Sequence, residues 1–138
     1  MAINRKMQNL LSGVMPKRSN SGGTVGLLPI MYVFETDGAA TESESVVVGR
    51  AIRVVDAHAV LKGAGTTSDT YQVFNGSNAI SDAVSIASAG DKDVVRIGEI
   101  DDAYHEIDAG GTLKVTATDG GGNDVPAMLV YVLAFATA

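Results

Sequence analysis

The sequence predicts an all-β protein, a single β-sandwich of seven or eight strands behind an N-terminal arm, and three observations carry that prediction. The chain is rich in Ala, Val, Thr and Ser, with sixteen glycines and only three prolines, the composition of small strands joined by many turns. Leu113, Val115 and Ala117 alternate with Lys114, Thr116 and Thr118, the period of two that belongs to a strand with one face buried and one wet. Turn signals, among them Asn75-Gly76 and Ala89-Gly90-Asp91, recur at about the spacing a sandwich needs.

A length of 138 residues fits one domain. The arm and its linker take residues 1–26 and the sandwich body residues 27–138. With no cysteine there is no disulfide framework, so the fold rests on burial alone. Its small side chains make a thin core, which self-association would help to cover. The apolar run Val125 to Ala136 is too short to cross a bilayer as a helix. Gln8, Asn9 and Ser12 interrupt the N-terminal apolar residues, so neither a membrane nor signal-directed secretion is expected.

Charge is distributed unevenly. Arg5, Lys6, Lys17 and Arg18 give the first 27 residues +4 with no acid, while the remainder carries −10 and the whole chain −6. That balance argues against a general nucleic-acid binder, and four basic residues alone would supply only weak, salt-sensitive contact. In the arm, Ile3, Met7, Leu10, Leu11 and Val14 fall on one helical stripe that Gly13 and Pro16 would end. A helix of about ten residues is marginal by itself. The arm is therefore expected to order only against a partner, with Ile3, Met7, Leu10, Leu11 and Val14 as apolar contacts and Arg5, Lys6, Lys17 and Arg18 as charged ones.

Leu28 to Glu35 reads as a first strand, with Pro29 suited to its beginning or to an edge. Asp37 to Ser45 reads as an acidic loop. Val46 to Lys62 reads as one bent strand or two, with Gly49 at the bend. Strict alternation would put Ile52, Val54, Asp56, His58 and Val60 on one face and Arg53, Val55, Ala57, Ala59 and Leu61 on the other. Thr70 to Phe74 makes a short strand closed by the turn dipeptide Asn75-Gly76. Ile80, Asp82, Val84 and Ile86 then alternate with small residues, and Val94 to Ile100 reads as a strand. Asp101 to Asp108 reads as a connection. Gly110 to Ala138 reads as a hairpin about the loop Asp119 to Asp124, its uncharged second arm placed mid-sheet between the core and a second protein surface. Met128, Val130, Val132 and Ala134 are the candidate oligomer interface.

Sites of chemistry are hard to assemble from these residues. His58 and His105 are the only histidines and neither sits in His-Glu-x-x-His, so a zinc site would need ligands from distant segments. Asp119 to Asp124 departs from both helix-loop-helix and β-roll calcium patterns and reads better as a flexible hairpin tip. No phosphate-binding glycine loop is present. No catalytic residue, metal ligand, cofactor or small-molecule substrate is expected.

The polar arm, the strand Arg53 to Leu61, the connection Glu106 to Val115 (Glu-Ile-Asp-Ala-Gly-Gly-Thr-Leu-Lys-Val) and the apolar strand Leu129 to Phe135 together resemble the small β-sandwich decoration (cement) proteins of tailed-bacteriophage capsids. The likeness runs from Val46 to Ala138, and the arm is longer and more basic than it requires. It implies a jelly-roll-like sandwich, a homotrimer on the outer capsid surface of a virion, and the major capsid protein as the partner whose neighbouring subunits it bridges. The competing expectation is a virion fibre or surface module that recognises a glycan. Three Phe, four Tyr and no Trp leave few rings for sugar faces.

Overall fold

The computed structural model of the protein describes residues 29–38 and 40–137, and within them the expected sandwich is present. Ten strands follow in order: β1 (Pro29–Thr36), β2 (Thr41–Val47), β3 (Ile52–Leu61), β4 (Thr70–Asn75), β5 (Asn78–Ala79), β6 (Val84–Ser85), β7 (Val94–Arg96), β8 (Glu106–Ile107), β9 (Thr112–Thr118) and β10 (Met128–Ala136). One sheet runs β1-β10-β3-β7 with β8 also on β3, and the other runs β2-β9-β4-β5 with β6 also on β4. All the strand pairings are antiparallel. The count exceeds seven or eight because β5, β6 and β8 are two-residue pieces. The residues of the arm, from Ile3 to Arg18, lie outside the described part of the chain.

Strand sequences explain their places. β10 has no charge and sits between β1 and β3, where both backbone edges are paired. β1 begins at Pro29 and takes the edge, where the missing N–H breaks no ladder. The segment expected as an acidic loop is instead largely strand β2. Its alternating Thr, Glu and Ser residues suit an edge paired only to β9, where charges discourage further pairing. Val48 to Ala51 then carries the chain across to the other sheet, so the bend at Gly49 separates two strands.

Two further expectations change. β9 and β10 do not form a hairpin: β9 pairs with β2 and β4, and β10 with β1 and β3. The glycine loop between them crosses from one sheet to the other. Nor is it a free tip, because a Cβ on Gly120 would stand 2.2 Å from the Ser68 carbonyl oxygen, and one on Gly121 2.6 Å from that of Thr67. Only glycine permits this loop to lie against Thr67-Ser68. Buried Asp69 ties the same junction, its Oδ2 accepting from the Thr66 N–H (2.8 Å) and Oγ1 (2.7 Å).

The second change is a bulge. Leu133 pairs with Asp56 but Ala134 with Val54, leaving Val55 as an extra residue in β3. Side-chain parity reverses there, so Ile52 and Val54 point inward before it and Ala57, Ala59 and Leu61 after it. The two strict faces expected for this strand therefore do not exist. Between the sheets, Phe34, Ile52, Val54, Leu61, Met128, Val130 and Val132 meet Tyr71, Val73, Leu113 and Val115 in one buried core. Tyr71 is fully buried, and its hydroxyl donates to the Val95 carbonyl at 2.6 Å. Burial away from water pushes its pKa well above the ordinary phenol value.

Candidate docking surface

The two histidines stand in different settings. His58 lies on the outer face of the first sheet and stacks on Tyr131, with ring centroids 5.0 Å apart and planes 15° apart. Its neighbour Asp56 turns to Arg96, whose Nη2 lies 2.5 Å from Asp56 Oδ2. His105 sits in the turn before β8, with Nδ1 3.5 Å from Asp102 Oδ1 and 3.3 Å from the Asp101 carbonyl. Asp119 Oδ1 accepts from the Gly121 and Gly122 N–H groups at 2.8 and 2.9 Å and so braces its own loop. Among the described residues, no three potential metal ligands converge.

What the first sheet does present is an apolar outer surface. Along β10 the side chains of Leu129, Tyr131, Leu133 and Phe135 point away from the core and are half-buried by their neighbours on the sheet. In register beside them on β1 stand Met31 opposite Leu133 and Val33 opposite Tyr131, exposed by 49% and 54%. On the other flank are Val60, opposite Leu129, and Val94, opposite Val60 and 60% exposed, with bulged Val55 further along. Exposed and half-buried apolar residues on four adjoining strands form one patch rather than scattered singles, the pattern of an interaction surface.

Ion pairs stand on and around this patch. Glu35 at its β1 end pairs with Lys62, Asp56 with Arg96, and Arg53 with Glu106 at 2.5 Å. The Arg53 guanidinium, by hydrogen bond and by charge, holds the Glu106 carboxyl below its ordinary value. Such solvated pairs add little stability. Glu35–Lys62 and Arg53–Glu106 frame the apolar residues at their two ends, while Asp56–Arg96 lies among them beside Leu133 and His58, a mixture of polar and apolar contact found in protein interfaces.

The structure corrects the candidate interface residues. Met128, Val130, Val132 and Ala134 are all at 0% exposure inside the sandwich, so a partner cannot reach them in the folded chain. Their odd-numbered neighbours occupy the outer face. Because both parities of this strand are apolar, its sequence alone does not say which set is inside. The missed signal lay across the sheet: β3 puts Asp56 and His58 beside Leu133 and Tyr131, and polar residues of that kind mark the outer side. The arm residues named as contacts, Ile3, Arg5, Lys6, Met7, Leu10, Leu11, Val14, Lys17 and Arg18, are outside the described residues. Neither the chain nor its fold matches any protein-family model, curated protein or solved structure.

Proposed function

We propose that the chain is a structural virion protein that decorates and stabilises a tailed-bacteriophage capsid, docking on the major capsid protein and bridging neighbouring subunits as a homotrimer. The observation that carries this reading is the apolar outer face of the first sheet: Met31, Val33, Leu133 and Val94 offer a partner flat, preformed contact without any reactive group among them. The resemblance of the Glu106 to Val115 connection and of the final strand to capsid cement proteins supplies the partner's identity. The sheet face provides a rigid docking element, and the basic N-terminal residues provide a second, longer-reaching contact.

The test is co-sedimentation. Purified chain is mixed with heads of the phage that encodes it, prepared without it, and spun through a density step. The proposal expects saturable binding and a higher temperature of head disruption. Chain left in the supernatant at every concentration, with head stability unchanged, overturns it.

A further inference from the structure

Asn75 ends β4 of the second sheet, and its side chain reaches across to the chain entering the first. Its Nδ2 donates to the Tyr104 carbonyl at 3.2 Å and to the Glu106 carbonyl at 2.9 Å. Both partners are acceptors, so the amide nitrogen, and not the amide oxygen, must face them. Glu106 and Ile107 make β8, a two-residue piece on β3, so the clasp from Asn75 supplements a short ladder.

The same residue is chemically vulnerable. Asparagine is thermolabile, and Asn75-Gly76 is the one Asn-Gly pair in the sequence. Glycine has no Cβ to block the approach of its own nitrogen to the preceding side chain. Gly76 N attacks Asn75 Cγ, the Cγ–Nδ2 bond breaks, and ammonia leaves. Water then opens the cyclic imide at either of its carbonyls, giving aspartate or isoaspartate. Solvent supplies the water, and no electrons change hands. In the folded turn both nitrogens of this reaction are engaged. The Gly76 N–H donates to the Thr112 carbonyl at 2.8 Å, and the leaving nitrogen is the one bonded to Tyr104 and Glu106. Ring closure must release them, so the turn has to open locally before it reacts.

We infer that Asn75 is a site of spontaneous deamidation, and that its conversion unlocks the turn Tyr104 to Glu106 from β4. A carboxylate has no hydrogen to offer, so the product sets negative oxygen against two carbonyl oxygens that have lost their donor. The segment it faces already carries Asp101, Asp102, Glu106 and Asp108. Isoaspartate also adds a carbon to the backbone, which disturbs the register in which Asn75 pairs with Leu113 and Asn78. The reaction concerns this chain alone and does not depend on the capsid reading.

The experiment incubates the full chain in mildly alkaline buffer, folded and in denaturant, and follows each asparagine by peptide mass spectrometry. Asn75 should convert first in both, about tenfold or more slowly in the folded chain because only the opened turn reacts. Hydrogen exchange is then compared among wild type, its converted fraction separated by charge, and Asn75→Asp. The converted chain and the variant should exchange about tenfold faster at Tyr104 and His105, a larger rise than in β10. Equal conversion rates in the folded and denatured chains overturn the inference without any variant having to fold. So does the absence of conversion at Asn75, or exchange at Tyr104 and His105 that rises no more than that of β10.

Discussion

The two sheets share one core and differ on their outer faces. On the second sheet, Thr41, Ser43 and Ser45 of β2 stand beside Thr118, Thr116 and Lys114 of β9, and these beside Thr70, Gln72 and Phe74 of β4. Ser43 Oγ and Thr116 Oγ1 are 2.8 Å apart, and Lys114 Nζ sits 4.7 Å from the centre of the Phe74 ring, so even the aromatic there is capped by a charge. That face suits water. On the first sheet the corresponding positions hold Met31, Val33, Leu129, Tyr131, Leu133 and Phe135. The difference teaches that the apolar side chains outside the core of the described residues are not spread evenly but concentrated on one side of the sandwich.

The comparison can be broken most severely along adjacent strands of the first sheet, with one substitution applied to opposite parities. Val130 is at 0% exposure and Val33 at 54%. Val130→Asp places an unpaired carboxylate between the sheets and should cost roughly 3 to 5 kcal/mol, enough to unfold a marginal domain. Val33→Asp should cost less than about 1 kcal/mol. Denaturant unfolding of both variants checks this, and equal costs would mean that the inner and outer faces of the sheet have been assigned the wrong way round.

A smaller effect belongs to the polar frame. Hydrogen bonding and charge from Arg53 lower the folded-state pKa of Glu106 below its ordinary 4.5. The unfolded chain therefore binds a proton there more readily than the folded one. The pair's contribution is present above about pH 4.5 and is lost as pH falls through the lower folded value. Melting temperatures followed from neutral pH down through this range should show Glu106→Gln losing less stability on acidification than wild type. Because the carboxyl is solvated the difference will be slight, and high salt should shrink it further.

Legibility followed the chemistry of each segment. β9 was readable because its buried and wet sides differ in kind. β10 was readable as a central strand because it has no charge, yet its inward side was not, because Val130 and Tyr131 are equally unsuited to water. β2 was hidden by its Glu and Ser residues, which obey the rule for an exposed edge rather than that for a core strand. The bulge at Val55 depends on pairing with Leu133 and Ala134, some eighty positions away, and leaves no local mark. The loop from Asp119 to Asp124 was recognisable as a turn of the chain. Whether a glycine loop joins paired strands or crosses between sheets is settled by the packing of Gly120 and Gly121 on Thr67-Ser68, which sequence spacing does not encode.

The central claim is that the apolar side of the first sheet is the side that docks. Its most direct test compares particle binding by Met31→Lys with Leu133→Lys, a cross-strand pair on that face, against binding by Thr116→Lys on the other. With heads of the encoding phage as the probe and melting curves confirming that both variants fold, the first should lose attachment and the second should retain it. Equal binding by the two variants, or loss only in Thr116→Lys, would contradict the account.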